Sequence, residues 1–353
     1  MGSINKNNVT IGHVEVHQFA DTSSGDKLWT QIGENIEGSN VEDQIGRSVS
    51  ISSDGSRIAI GIDGFDTSDK TNVGCCRVFD LMEGSDGKME WIQAGADLVG
   101  DMAGEEIGVA VSISGNGRRV ACGGPNSGDN GIKSGVVRVY DVTDGIWTMV
   151  GEKMVAPAGS EFGSSVALTN DGSYLAIGAP MSDKLEDKQV GFIGIYRVQI
   201  FSPDRIAPPT EVTMKPTEMP TKLKTSPEII SSLSYRGIQN IFGQQPSARA
   251  GTSISYSGDG SILPIGAPNA SGRTVTTGAV HIYIYGQDGY SQLGNSIEGS
   301  NTGDEFGWSV SLASDGSRVA IGARSSSNIK SKNGCVKIFT FDKDQLEDKL
   351  TIK

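Results

Sequence analysis

GSSVALTNDGSYLAIGAP, residues 163–180, is the stretch of sequence that decides the fold. Two short apolar runs flank the Asp171-Gly172 pair, and Asp-Gly tolerates the positive φ angles that a tight β-hairpin requires. Near copies of this hairpin recur along the chain, and each opens at a marker glycine: Gly46, Gly108, Gly163, Gly251 and Gly307. Repetition at this length indicates a protein assembled from one small β unit.

Each unit has room for four short strands, which we call a, b, c and d. Strand a begins at an aromatic residue, strands b and c form the hairpin, and strand d alternates apolar with polar residues, as in Val137-Arg138-Val139. Such alternation is typical of a strand that packs one face against a neighbouring sheet. The aromatic residues are most simply contacts between sheets, with sugar stacking as the alternative; they are Trp29, Trp91, Trp147 and Tyr290.

An extra copy of strand d, at Val14 and Val16, precedes the first complete unit. Four-stranded meanders repeated about an axis protect their sheet edges, and strands from both termini commonly latch such a ring. The sequence therefore predicts an all-β fold, a β-propeller of four-stranded antiparallel blades with five complete repeats plus an extra N-terminal strand. It leaves open whether the blades number five or six.

The predicted domain contains one insertion. The gap between the third and fourth marker glycines is about 30 residues longer than the others, and its excess is rich in Pro, Thr, Lys and Glu. The expected division is a disordered N-terminus at 1–8, the closing strand with three units at 9–203, a flexible Pro/Thr-rich insertion at 204–234, units four and five of the same domain at 235–348, and a tail at 349–353.

Bulk composition excludes several classes of function. A formal charge of −12 and a pI near 4.8 argue against nucleic acid as a partner, since phosphate binding needs clustered Lys and Arg. No apolar window is long enough for a transmembrane segment, and no signal peptide is visible, so the compartment stays open. The cysteines show no C-x-x-C pair and are expected to be buried small hydrophobes; they are Cys75, Cys76, Cys122 and Cys335.

Three units place an acidic residue three positions before the marker glycine, namely Asp43, Glu105 and Asp304. If these loops share one rim, their carboxylates could gather into a binding site for a cation or a basic ligand. The simpler interpretation is that each carboxylate caps its own turn.

Catalytic signatures are absent from the sequence. It contains no nucleophile elbow, phosphate loop or Cys/His dyad, so no catalytic residue is predicted and the chain is expected not to be an enzyme. The three histidines are His13, His17 and His281, and a His-x-x-x-His spacing in a strand is too wide for easy chelation.

The motifs resemble FG-GAP repeats, the units of the integrin α-subunit propeller. The resemblance spans about residues 9–348, and the residues that carry it are Phe162-Gly163 with Gly178-Ala179-Pro180, Phe306-Gly307 with Gly322-Ala323, and Gly266-Ala267-Pro268. It implies a propeller used for recognition and adhesion, in an extracellular or cell-surface setting. FG-GAP units often bind calcium through an Asp-rich loop between strands b and c, but the turns here keep only Asp-Gly, so neither a metal nor a cofactor is expected.

Three functions remain in competition, because propellers host many kinds of activity. The first is a non-enzymatic interaction or adhesion module whose loop rim binds a protein or carbohydrate ligand. The second is a propeller hydrolase or lyase with carboxylates at the central channel. The third is a structural piece of a larger cell-surface protein.

Overall fold

The computed structural model describes residues 12–21, 27–40, 42–184, 187–198, 235–271, 276–326 and 333–341. The regular structure of these ranges is entirely β. Before the first complete repeat lie four short strands, β1 (His13–Val14), β2 (His17–Asp21), β3 (Lys27–Gln31) and β4 (Ile36–Glu37).

Five antiparallel sheets follow in a ring, one for each repeat, and we call them blades 1 to 5. Blade 1 contains β5 (Ser48–Ile51), β6 (Arg57–Ile62), β7 (Cys75–Glu83), β8 (Met89–Gln93) and β9 (Leu98–Val99). Blade 2 contains β10 (Ala110–Ile113), β11 (Arg119–Gly124), β12 (Val136–Thr143), β13 (Ile146–Met149) and β14 (Met154–Val155). Blade 3 contains β15 (Ser165–Leu168), β16 (Tyr174–Ala179), β17 (Phe192–Val198) and β18 (Tyr235–Phe242).

Blade 4 contains β19 (Ser253–Ile254), β20 (Ile262–Ala267), β21 (Ala279–Gly286), β22 (Gly289–Gln292) and β23 (Ile297–Glu298). Blade 5 contains β24 (Phe306–Leu312), β25 (Arg318–Ala323) and β26 (Cys335–Thr340). The prediction of an all-β propeller built from antiparallel blades is confirmed, and the complete repeats make five blades.

The spatial order of strands within a blade is b, c, d, a, as in β5-β6-β7-β8. Strand a therefore completes the blade of the preceding repeat and does not open its own. Strand a pairs with the strand d before it because a tight turn joins the two. In blade 2 this turn contains Asp144 and Gly145, with φ of 52° and 78°. Two strands joined by so short a turn pair with each other.

The turns between strands b and c are stabilised as the Asp-Gly pattern predicts. In blade 3, Gly172 has φ of 71°, and Asp171 Oδ1 accepts hydrogen bonds from the Ser173 amide at 2.9 Å and the Thr169 hydroxyl at 2.6 Å. The corresponding bonds in blade 1, from Ser52 and Ser56, lower the pKa of Asp54 to about 2. The aspartate thus acts as a turn-stabilising acceptor within its own hairpin.

The hydrophobic core lies in the seams between blades. Val137 and Val139 of strand β12 are fully buried against Val166 and Leu168 of the next blade, as the alternation in strand d predicts. The indole nitrogens of Trp91 and Trp147 also cross seams, which confirms that these two aromatic residues serve packing between sheets. Burial of this apolar area supplies the main driving force for closing the ring.

The serines and glycines of the repeat also join neighbouring blades. The first serine of strand b donates to the carbonyl of the next marker glycine, in the pairs Ser48 to Gly108 at 2.8 Å, Ser165 to Gly251 at 2.7 Å and Ser253 to Gly307 at 2.9 Å. A glycine of strand c sits against the same carbonyl, so close that a Cβ there would have no room. The residues shared by the repeats therefore build the ring.

Strands β1 to β4 lie on the side of blade 1 away from blade 2. Val14 and Ile36 pack against Ile45, Ile58 and Ile60, and the Trp91 indole donates to the Ile32 carbonyl at 2.9 Å. Within the described ranges these strands pair with one another, β1 with β4 and β2 with β3. The expected latch between both termini would involve the chain after residue 341, which lies outside the described residues.

Other parts of the predicted division also fall outside the described residues: 1–8, 204–234 and 349–353. The strands on either side of the insertion, β17 and β18, are described. Strands β17 and β18 pair antiparallel, so the Pro/Thr-rich segment connects strands d and a of blade 3.

Candidate functional site

The inner strands of the five blades surround a central channel. Strand b is innermost in each blade, and inner strands of successive blades contact one another from β5 through β24. The channel has a volume of about 710 Å³. Hydroxyl and apolar side chains alternate along its wall: Ser48, Val49, Ala110, Val111, Ser165, Val166, Ser253, Ile254, Ser309 and Val310. Most of these residues repeat from blade to blade. They form the channel wall and do not by themselves indicate a specific binding site.

One end of the channel, where the b strands begin, carries charged side chains. We call it the channel mouth. The residue two positions before each marker glycine has a left-handed backbone there, with φ between 52° and 56°: Gln44, Glu106, Glu161, Arg249 and Glu305. Left-handed conformations are unfavourable for residues other than glycine, and they persist where surrounding structure imposes them.

The left-handed backbone at this position is imposed by contacts of the residue that follows it, one position before the marker glycine. Ile107, for example, is bridged to Gly74, the glycine that opens strand d, and a Cβ on Gly74 would collide with the Ile107 backbone. The same bridge joins Phe162 to Gly135. This pairing places the preceding side chain, Glu106 or Glu161, among those that line the channel.

The carboxylates of the mouth are paired. Glu161 Oε1 lies 2.9 Å from Lys133 Nζ, and Glu106 Oε2 accepts a hydrogen bond from the Asn126 amide at 2.5 Å. Glu305 Oε2 lies 2.5 Å from Arg324 Nε. The mouth is therefore a ring of fixed positive and negative groups with no free acidic cluster among these three residues.

Blades 1 and 5 depart from the repeat at the mouth. The position after the marker glycine is small or apolar in the middle blades but is Arg47 in blade 1 and Trp308 in blade 5. The position after strand c is proline in blades 2, 3 and 4 but is Asp63 in blade 1 and Arg324 in blade 5. Arg47 Nε lies 3.4 Å from Asp63 Oδ2, and the Arg324 guanidinium lies 3.2 Å from the centroid of the Trp308 ring.

Two polar atoms near the mouth have no hydrogen-bond partner within the described part of the chain, Asp63 Oδ1 and Arg249 Nε. Burial raises the pKa of Asp63, with Arg47 opposing the rise and Glu106 adding to it. Arg249 is half-buried and lines the channel. A buried polar atom without a protein partner is unfavourable unless water, an ion or a ligand satisfies it.

The predicted rim residues Asp43, Glu105 and Asp304 are all buried, at 3%, 0% and 3% exposure. Asp43 Oδ2 accepts the Asn40 amide at 2.9 Å, and Asp304 Oδ2 accepts the Asn301 amide at the same distance. Each carboxylate is thus engaged within its own loop.

Glu105 differs from its counterparts because it pairs with a buried arginine. Its Oε2 accepts the Asp101 amide at 2.6 Å, and its Oε1 lies 2.6 Å from Arg138 Nη1. A ligand-binding role for the three rim residues stays a prediction. In this loop the side chain that lines the channel belongs to the following residue, Glu106.

The described residues contain no group of three or more His, Cys, Asp or Glu arranged to hold a metal ion. His13 and His17 each place Nε2 3.2 Å from a carboxylate oxygen of Glu15, and the His13 side chain is only 13% exposed. His281 is buried, its Nδ1 lies 2.7 Å from the Ser296 hydroxyl, and burial lowers its pKa. Of the cysteines, Cys75, Cys76 and Cys122 are buried and Cys335 is half-buried, all without disulfides.

A second cavity, of about 700 Å³, lies at the other end of blades 1 and 2. One of its charged residues, Arg57, forms a bidentate ion pair with Asp80, donates to the Gly117 carbonyl and stacks over the Trp147 ring. These contacts occupy the Arg57 guanidinium, while Arg118 and Asp144 also line the cavity.

Comparison with known proteins supports the repeat directly. The family model of the FG-GAP repeat matches residues 298–339. No curated protein matches the sequence. No helix in the described ranges is long and apolar enough to cross a membrane.

Several solved structures are similar over most of the chain. The periplasmic gluconolactonase of Pseudomonas aeruginosa is 14% identical, with 88% of this chain and 75% of that chain covered and a TM-score of 0.45. A putative TolB from Agrobacterium tumefaciens is 10% identical, with coverages of 87% and 80% and a TM-score of 0.43. A putative 6-phosphogluconolactonase from Bacteroides uniformis is 10% identical, with coverages of 93% and 99% and a TM-score of 0.43. At this distance we draw no functional conclusion from these likenesses.

Two observations agree on the kind of protein. The matched repeat covers the loop before blade 5 and the strands of that blade, β24 to β26. The same hairpin and marker glycine recur in all five blades, and the serine-to-glycine bond joins three pairs of successive blades. The chain is therefore an FG-GAP-like β-propeller with five blades.

Proposed function

We propose that this propeller is a non-enzymatic binding module that holds a protein or glycan ligand at the channel mouth. The observation that carries the proposal is that the departures from the repeat in blades 1 and 5 gather there, at Arg47, Asp63, Trp308 and Arg324. Residues shared by all units build the ring, so residues that break the pattern at one end of the channel are candidates for a function of their own.

The chemistry of the mouth suits recognition of a polar surface. Arg249 has a buried Nε with no partner among the described residues, and the half-buried Trp308 provides an aromatic surface beside Arg324. Arginine and tryptophan are the residue types that most often dominate binding energy. The positive and negative side chains of the mouth would orient a ligand that carries groups of both signs.

One observation favours the alternative of a hydrolase or lyase. Asp63 is a buried carboxyl with a raised pKa, as a general acid requires, and the charge of Glu106 contributes to the rise. Against this, Asp63 is not among the side chains that line the channel, and Glu106 and Glu161 are held by Asn126 and Lys133. The mouth therefore offers fixed pairs where acid–base catalysis would need a free carboxylate.

Protein and glycan arrays probed with the full chain test this proposal. We expect at least one saturable hit whose affinity falls about tenfold or more in the variants Arg249→Ala and Trp308→Ala, because both side chains lie at the mouth. Ile146→Ser, on an exposed position of blade 2 outside the channel lining, is the matched control and should leave the affinity unchanged.

Three outcomes would contradict the proposal. A hit that survives both mouth substitutions would move the site elsewhere. Turnover of an arrayed substrate that depends on Asp63 would favour the enzyme. No hit on either array would favour a purely structural role in a larger cell-surface protein.

A further inference from the structure

One arginine of the channel mouth carries a positive charge that no carboxylate of the described chain neutralises. Arg249 lines the channel, and within the described ranges its guanidinium has neither a hydrogen bond nor an ion pair. The carboxylates that precede and follow it in the ring of left-handed residues are paired elsewhere, Glu161 with Lys133 at 2.9 Å and Glu305 with Arg324 at 2.5 Å. Arg249 is therefore available to a negatively charged ligand.

The charge balance of the channel lining agrees with this. Three of its charged side chains are positive and two are negative, in a chain whose net charge is −12; they are Arg47, Lys133, Arg249, Glu106 and Glu161. Of the three cations, Arg47 lies near Asp63 and Lys133 is paired with Glu161. One excess positive charge suits a ligand group with a single negative charge, and the acidic remainder of the protein repels a longer polyanion.

The geometry of arginine narrows the choice of anion. A guanidinium presents its N–H groups in a planar fork, which a carboxylate can accept through two parallel hydrogen bonds. The Arg249 Nε is buried and has no acceptor among the described residues, so a carboxylate that reached it would remove the cost of an unsatisfied donor.

Hydroxyl groups in the channel lining are oriented as hydrogen-bond acceptors. Five of them donate their own proton to a backbone carbonyl, at 2.7–2.9 Å, so each hydroxyl oxygen keeps the capacity to accept. These five residues are Ser48, Ser164, Ser165, Thr252 and Ser253. The wall thus suits a ligand that brings several hydrogen-bond donors.

The end of the channel opposite the mouth is narrowed by the turns between strands b and c. Backbone amides join these turns from blade to blade, Ser53 to the Gly115 carbonyl at 2.9 Å, Asn170 to Gly258 at 3.0 Å and Gly258 to Ser314 at 2.7 Å. The Asn170 side chain also donates to the Ser314 hydroxyl at 3.1 Å. A ligand therefore enters at the mouth, into a volume of about 710 Å³, which is within the range of small-molecule sites.

We infer that the channel mouth binds the terminal sugar acid of a glycan, with the sugar carboxylate paired to Arg249 and the sugar hydroxyls donating to the serine and threonine oxygens of the wall. This assignment rests on the proposed function and names the chemical class of its ligand. The half-buried Trp308 ring lines the same channel and can pack against the apolar face of a sugar.

An acidic side chain of a protein ligand fits the same site less well. An ionised Asp or Glu side chain has acceptors and no donor, so it would satisfy Arg249 and leave the hydroxyl oxygens of the wall without donors. A sugar acid surrounds one carboxylate with several hydroxyl donors and can satisfy both.

Isothermal titration calorimetry of the full chain with short oligosaccharides that end in glucuronic, galacturonic or sialic acid tests this assignment. Each oligosaccharide is compared with its carboxyl methyl ester, which keeps the hydroxyl groups and removes the charge. For at least one of the three we expect saturable binding of the acid and about tenfold or more weaker binding of the ester, because the charged hydrogen bonds to Arg249 are lost.

Arg249→Gln should bind the acid and the ester with affinities within about twofold of each other, because glutamine carries no charge. Gln44 occupies the equivalent position of blade 1 with the same φ of 56°, so this variant should fold. Arg249→Lys keeps the charge without the planar fork and should recover part of the preference for the acid. Arg236→Gln removes the same charge from an exposed position of strand β18, outside the channel lining, and should bind as the parent does.

The assignment is overturned if none of the acids binds, if the parent binds acid and ester equally, or if Arg249→Gln keeps the preference for the acid. An acidic peptide that binds through Arg249 when no sugar acid does would also overturn it. In each case the proposed function still stands if another array ligand binds and is weakened by Trp308→Ala. Failure of the proposed function itself would differ, because binding would then survive both Arg249→Ala and Trp308→Ala.

Discussion

Replacing Glu105 by alanine is expected to lower the free energy of unfolding by about 3–5 kcal/mol, the cost of leaving a buried charge without its partner. Glu105 is fully buried and pairs with Arg138, which is 2% exposed. The other partner of Arg138, Asp101, lies on the surface and compensates weakly for the lost carboxylate. Urea denaturation followed by tryptophan fluorescence measures the loss.

Asp304→Ala is the matched control, since it removes the carboxylate from the same position of another repeat. Asp304 accepts the Asn301 amide and has no ion pair with any arginine in the described ranges, so its loss should cost about 1 kcal/mol. The double variant Glu105→Leu with Arg138→Met should be more stable than Glu105→Ala, because it removes both buried charges. Equal losses for Glu105→Ala and Asp304→Ala would show that the buried pair has no special role.

Substituting Gly178 by alanine is expected to destabilise the ring by about 3 kcal/mol or more, because the new Cβ would collide with the backbone carbonyl of Gly251 in the next blade. Backbone at a packed seam cannot move aside as a flexible side chain can. Thermal and urea unfolding of the variant give the size of the effect.

Gly322→Ala places the same methyl group at the corresponding position of blade 5. There the three atoms nearest to the Cβ all belong to Ser309, whose side chain can rotate away. We expect a cost of about 1 kcal/mol or less. Comparable destabilisation by both substitutions would show that the contact with the Gly251 carbonyl is not the cause of the loss at Gly178.

Much of the fold could be predicted because its signals are local. The turn at Asp171-Gly172 and the alternation around Arg138 depend on a few adjacent residues. The blade to which strand a belongs was harder to infer. It depends on which neighbour a strand pairs with, and the left-handed turn at Asp144 and Gly145 decides that.

The candidate site could be predicted less well. The acidic residues three places before the marker glycines form a clear sequence pattern. Glu105, however, is buried and pairs with Arg138, 33 positions away, and sequence spacing does not reveal such a pair. Trp308 and Arg324 were visible as departures from the repeat when the units are compared position by position. That they meet at one end of a channel follows from closure of five blades, which no single unit encodes.

Hydrogen–deuterium exchange of the full chain, with and without a saturating array hit, is the most direct test of a binding site at the channel mouth. The proposal predicts slower exchange in the loops that precede the b strands: 42–48, 104–110, 159–165, 248–254 and 304–310. Protection confined to the opposite hairpin turns, at 52–57, 114–119 and 169–174, with the mouth loops unchanged, would contradict it.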